Sequence, residues 1–150
     1  MVLKFHPESG TILVCDFAGF RAPEMVKVRP VPVVSPRLKR REGLLTVVPL
    51  STTQPDHVME YHCSITLEPP LPEPFTSPTM WVKGDRIYNV AFNRRDLVRT
   101  ARDHTGKRKF IQRQIGGEDI ARVTRCVLVG LGLPELGLLE LGLPELTKYI

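Results

Sequence analysis

Two prolines, Pro30 and Pro32, stand two residues apart inside the apolar run Val28-Arg29-Pro30-Val31-Pro32-Val33-Val34-Ser35. In an extended strand successive backbone N–H groups alternate between the two edges, so prolines at alternate positions remove donors from one edge only. That side cannot pair fully, which places the run at a sheet margin or beside a bulge. The run also takes in an arginine at its start, which is either an expensive structural ion or part of an anion site. A second apolar run, Thr46-Val47-Val48-Pro49-Leu50, ends in three hydroxyls, Ser51, Thr52 and Thr53. Arginine beside hydroxyls suits a phosphate.

The rest of the chain reads as short strands followed by one helix. Thr11 to Phe17 is an apolar strand after a glycine. Ala18 to Met25 holds glycine and proline without a steady period and reads as a surface loop. The proline-bearing strand runs from near Lys27 to Ser35, and Pro36 to Gly43 forms a basic turn. Leu44 to Leu50 forms a third, core strand. Tyr61 to Leu67 alternates Tyr61, Cys63, Ile65 and Leu67 against His62, Ser64 and Thr66, the period of a half-buried strand. The prolines of Glu68 to Pro78 predict an irregular excursion. Trp81 to Phe92 resumes β character, broken at Lys83-Gly84-Asp85. Glu118 to Leu131 places Ile120, Val123, Val127, Leu128 and Leu131 at helical spacing. This order predicts a mainly β chain with a C-terminal helix, its strands curled into a small antiparallel barrel.

With 150 residues, 42% of them hydrophobic, one core with an appendage is expected. No apolar run approaches the roughly 20 residues that span a bilayer, and Met1 to Gly10 lacks a secretion signal's apolar segment, so a cytoplasmic protein with no membrane partner is expected. Cys15, Cys63 and Cys126 are far apart in sequence and read as buried small hydrophobes. A metal site built from His57, His62 and Cys63 lacks a fourth ligand at conventional spacing. The net charge of +5 favours polyanions. At the C-terminus, Leu131-Gly132-Leu133-Pro134-Glu135-Leu136 recurs as Leu141-Gly142-Leu143-Pro144-Glu145-Leu146, too few copies for a solenoid. Two readings stay open: a low-complexity apolar tail, or a segment packed on a second subunit.

Gly10-Thr11-Ile12-Leu13-Val14-Cys15-Asp16-Phe17, Lys27-Val28-Arg29-Pro30, Val47-Val48-Pro49-Leu50-Ser51-Thr52 and Trp81-Val82-Lys83-Gly84-Asp85-Arg86-Ile87 follow one another in an order and spacing that resembles the MazF/PemK family of toxins. Those proteins are bacterial endoribonucleases of toxin–antitoxin pairs. The resemblance fades after the helix, dividing the chain into residues 1–131 and a leucine-rich tail, 132–150. It implies the SH3-like small barrel of the MazF/PemK/CcdB-like toxins. It also implies cleavage of single-stranded RNA (mRNA) without metal or other cofactor, through attack by the substrate's 2′-hydroxyl. A cognate antitoxin and a homodimer are the implied partners.

Such cleavage requires stabilisation of the charge that gathers on phosphorus, removal of the 2′ proton and protonation of the leaving oxygen. Arg29 matches the family's catalytic arginine by its Arg-Pro context. A guanidinium is a poor base at neutral pH, so its expected role is charge stabilisation. The other reading is an exposed strand-end arginine. Ser51 stands where the family carries a catalytic threonine, and Thr52 could serve after a one-residue shift; alternatively the hydroxyls only end a strand. Lys83 and Asp85 match an arginine and an aspartate that act as an acid/base pair in some PemK-like members, the alternative being a charged hairpin turn. His62 matches a histidine near the RNA groove of relatives. Arg86 is a further candidate RNA contact, as are Arg94, Arg95, Lys107 and Arg108 within the basic stretch from Arg94 to Arg113, which otherwise reads as a solvated face. Pro32, Ser51 and Lys83 depart from the family pattern. Ser51 and Lys83 motivate a rival reading as a barrel that binds RNA or protein without cleaving, and the leucine tail motivates a third as an interaction module.

Overall fold

The computed structural model describes residues 5–99, 110–111 and 113–133, with only the backbone of residues 94–99 and 110–111. The strands are β1 Thr11–Cys15, β2 Arg29–Pro32, β3 Leu44–Val47, β4 Leu50–Ser51, β5 His62–Thr66, β6 Thr79–Lys83, β7 Tyr88–Ala91, β8 Arg95–Arg99, β9 Phe110–Ile111 and β10 Arg113–Gln114. One helix, α1 Gly117–Gly130, follows them. The mainly β chain with a C-terminal helix is therefore observed. None of the helices described is long and apolar enough to cross a membrane.

β1 is the axis of the fold. One of its edges pairs with β2; the other is shared by β10 at its start and β8 at its end. Its residues are buried on both faces. Ile12 enters a core with Leu50, Ile65, Met80, Val82 and Val123, and Leu13 and Cys15 enter a second core with Phe17, Val31, Val47 and Val90. Each fully buried aliphatic side chain here contributes about 1.5–3 kcal/mol, which explains why the apolar run reads so plainly.

The described strands divide into three sheets rather than closing into the small barrel that was expected: a five-stranded sheet around β1, the pair β3–β7 and the triplet β4–β6–β5. The prolines supply a physical reason. Val33 donates its N–H to Thr11 on β1 (2.9 Å), so by alternation the nitrogens of Pro30 and Pro32 face the opposite edge. That edge makes only the isolated bridge Val33↔Val47, with Val34 N–H donating to Thr46 C=O (2.9 Å) and Val48 N–H to Pro32 C=O (3.3 Å). The return bond from position 32 cannot form, because proline has no N–H. The third predicted strand is likewise divided, its ladder lapsing at Val48-Pro49 between β3 and β4.

In α1, Val123 and Cys126 are buried, with Ile120 and Val127 packed beside them. Glu118 and Asp119 lie in its first turn, where carboxylates complement the helix dipole. Gly132 adopts φ +80 and closes the C-terminus, with Leu133 N–H donating to Leu128 C=O (2.8 Å). Leu131, expected on the apolar stripe, is instead 59% exposed because it belongs to this cap. Of the cysteines, Cys15 and Cys126 are buried and Cys63 is half-buried. Cys63 and Cys126, remote in sequence, meet between β5 and α1. Their hydrogen bond lowers the Cys63 thiol and, with burial, pushes Cys126 up.

Candidate functional site

The triplet β4–β6–β5 has two chemically distinct faces. Leu50, Val82 and Ile65 enter the core beneath α1, together with Met80. By strand alternation the opposite face carries Ser51, Trp81 and Ser64 in one register row and Lys83 beside His62 in the next.

Beyond β6 the chain turns sharply. Arg86 N–H donates to Lys83 C=O (3.0 Å), and Gly84 N–H to Tyr61 C=O (2.9 Å). This turn lies directly on the helix. A Cβ at Gly84 would sit 2.3 Å from the backbone carbon and oxygen of Cys126, and one at Gly130 would sit 2.7 Å from the Gly84 oxygen. Two glycines thus let backbone meet backbone and fix the segment holding Lys83, Asp85 and Arg86.

Charges converge at this turn. Lys83 is held below its ordinary value, first by burial and then by the positive charges of Arg86 and Arg29, against the opposing pull of Asp85 and Asp56. Arg29, far away in sequence, is therefore in electrostatic contact with the turn. Its Nε is the one buried side-chain nitrogen or oxygen among the described residues that has no hydrogen-bond partner. On the carboxylate side, His62 Nε2 lies 3.9 Å from Asp85 Oδ1, and its Nδ1 accepts the Met59 N–H (3.1 Å). That acceptor role places the neutral ring's proton on Nε2, facing Asp85. The His62 side chain is only 9% exposed, whereas that of Asp85 is 39% exposed.

Ser51 is buried, and its Oγ accepts the Thr53 N–H (3.2 Å), which leaves its own hydroxyl hydrogen to donate elsewhere. Thr52 lies beyond the strand end and is exposed. The face that bears Lys83 thus carries Ser51 within its ladder and not Thr52. Arg94 ends a short 3₁₀ turn, Phe92–Arg94, and Arg95 opens β8, their backbones alone being described. Lys107, Arg108 and the tail from 134 onward lie outside the described residues.

Two participants, Asp56 and Tyr88, escape a linear reading, and a third, Gly84, is legible only in part. Asp56 enters through the β4–β5 loop, and nothing in its local sequence marks it. Gly84 had a legible signal, since an isolated glycine in a β run marks close backbone approach. Tyr88 anchors the loop that leads into Arg29: its ring stacks on Phe20 (centroids 5.6 Å) and contacts Phe17 (5.1 Å), and its hydroxyl oxygen accepts the Met25 N–H (2.8 Å).

Residues 8–128 match the family model of the PemK-like, MazF-like toxins of type II toxin–antitoxin systems. The chain belongs to this family. Solved structures of MazF-type proteins share its fold. A mycobacterial endoribonuclease in complex with its cognate antitoxin is 18% identical, with a TM-score of 0.57, covering 86% of this chain and 98% of the other. A crystal structure of MazF from Deinococcus radiodurans is 15% identical, with a TM-score of 0.56, covering 86% and 99%. A MazE–MazF crystal structure from the same organism is 16% identical, with a TM-score of 0.52, covering 87% and 99%. No curated protein matches the chain.

Proposed function

We propose that this chain is the toxin of a type II toxin–antitoxin pair and cleaves single-stranded RNA by directing the substrate's 2′-hydroxyl at the adjacent phosphate. The observation that carries this reading is the unpaired, buried Nε of Arg29, whose charge acts on Lys83 together with that of Arg86. An unsatisfied buried donor costs about 1–3 kcal/mol, and more when charged. A phosphate oxygen would satisfy it, and would also relieve the mutual repulsion of Arg29, Lys83 and Arg86.

In this reading Arg29 stabilises the charge that develops on phosphorus and gives a proton to the 5′-oxygen as the P–O5′ bond breaks, leaving a 2′,3′-cyclic phosphate and a 5′-hydroxyl, while Lys83 holds a non-bridging oxygen. Asp85, oriented by His62, takes the 2′ proton; Ser51 donates to the phosphate, with Thr52 as the exposed alternative. Arg86, Arg94, Arg95, Lys107 and Arg108 are assigned to contacts with the RNA backbone, and His62 to the border of the site. The same cationic surface suits a carboxylate-rich antitoxin segment, which would compete with RNA. A homodimer, a cytoplasmic location, and a tail at 132–150 separate from the toxin unit complete the proposal.

The test is cleavage of an end-labelled single-stranded RNA in the presence of a chelator. Arg29→Ala is expected to lose about 10²–10³-fold in rate while keeping its fold, the usual cost of removing one preorganised charge-stabilising contact. Arg29→Lys should recover little, because an ammonium lacks the planar fork. Wild-type cleavage by folded Arg29→Ala would overturn the assignment. Binding without cleavage by the unmodified chain would favour the non-catalytic barrel.

A further inference from the structure

The face bearing Lys83 also carries an aromatic group that the cleavage chemistry does not use. Trp81 lies two residues before Lys83 on β6, so both side chains project from the same side of the sheet. β6 is the middle strand, and the cross-strand neighbours of Trp81 are Ser51 and Ser64. The next row beyond it pairs Thr79 with Thr66, both exposed, and the row on its other side pairs Lys83 with His62. The indole is the one large apolar side chain among these positions. Its nearest cross-strand partners are small, and it remains partly exposed. Its inward neighbours Met80 and Val82 are wholly buried, so the core is complete without it.

We infer that Trp81 is a stacking platform for a nucleobase of the bound single strand, set one side-chain row from the Lys83 ammonium. The inference rests on the RNA-cleaving reading above and extends it from the scissile phosphate to the neighbouring base. Physically the arrangement suits a nucleotide. A flat apolar ring takes the base face, serine hydroxyls border it, and a cation two residues along the same strand takes a phosphate. Aromatic stacking tolerates any base but favours the larger purine surface, so Trp81 would add affinity and a purine bias without reading base edges.

Trp81 is the only tryptophan in the chain, so its emission reports this contact directly. The experiment titrates the full chain with fluorescently labelled hexamers of 2′-O-methyl adenylate and 2′-O-methyl uridylate, which have no free 2′-hydroxyl. Anisotropy of the label and emission of the indole are followed together. Saturable quenching with the anisotropy midpoint, and tighter adenylate binding, are expected. Trp81→Thr, which keeps β propensity, should weaken adenylate binding by about five- to a hundred-fold and abolish the purine bias. Trp81→Phe should retain part of both.

Anisotropy that reports binding while the indole emission stays unchanged would overturn the platform and leave the RNA-cleaving reading standing. A folded Trp81→Thr that binds adenylate like the unmodified chain would do the same. Should Trp81→Thr fail to fold, the unmodified titration and the Trp81→Phe variant decide the matter. No hexamer binding by anisotropy at any concentration would count against both readings.

Discussion

Arg29 and Lys83 reach the same electrostatic neighbourhood by two differently built supports. Lys83 rides on a turn laid against α1, where Gly84 and Gly130 allow main chain to touch main chain. Arg29 follows a long loop whose residues from Arg21 to Val28 are exposed except for Met25. That loop is fixed to the body by the Phe20–Tyr88 stack and by the Met25 N–H on the Tyr88 hydroxyl. One support is backbone packing, which cannot yield without unfolding its surroundings; the other is an aromatic contact and a hydrogen bond, which can release locally. The difference teaches that Lys83 is clamped by main-chain packing, whereas Arg29 is held where it joins the β1 ladder opposite Cys15 and is preceded by a loop that can release locally.

The sharpest way to break this contrast is Gly84→Ala. Its added methyl would meet Cys126 main chain at 2.3 Å, where no flexible side chain can give way. Destabilisation at or beyond the upper end of the usual ~1–3 kcal/mol for overpacking is expected, measured by urea denaturation. Gly116→Ala is the control, since a Cβ there meets nothing within 4 Å. Equal stability of the two variants would mean that the turn is not clamped.

A smaller effect is expected from Tyr88→Phe, which keeps the ring and removes the acceptor for Met25. Losing one hydrogen bond of about 0.5–1.5 kcal/mol should raise trypsin cleavage at the exposed Arg21 and Lys27 by up to about tenfold, with global stability little changed. Unaltered cleavage kinetics would show that the aromatic stack alone holds the loop.

The smallest effect tests the charge crowding itself. Lys83 releases its proton at lower pH in the folded chain than in the unfolded one. Between those two pH values the unfolded chain binds more protons, so stability gains a small upward slope with pH just below the ordinary lysine value of about 10.4. Lys83→Met should remove that slope and leave neutral-pH stability equal or slightly higher. A loss of stability at neutral pH would show that the lysine is held by its carboxylate partners rather than strained by its cationic neighbours.

What the sequence disclosed follows the range of each interaction. The alternation of Cys63, Ile65 and Leu67 and the spacing of Ile120, Val123 and Val127 are local patterns, and both elements formed close to the expected places. Pro30 and Pro32 marked a strand with one deficient edge, although the division of the described strands into three sheets also depends on what lies across that edge. Arg29, Lys83 and Asp85 were legible as candidates through their motif, and the structure brings their charges together. Asp56, Tyr88 and the meeting of Cys63 with Cys126 were not legible. Each depends on contacts between segments distant in sequence, and nothing in local composition encodes such contacts.

The proline-bearing strand has a consequence for the molecule's behaviour among other molecules. A bare strand edge with alternating donors and acceptors is a template onto which another chain can add, the first step toward aggregation. Along the far side of β2, the Pro32 carbonyl already accepts the Val48 N–H, and neither Pro30 nor Pro32 has a donor to offer, so an incoming strand finds its partners missing or engaged. The residues that keep this chain from sealing its own sheet thereby also discourage foreign strands from sealing it.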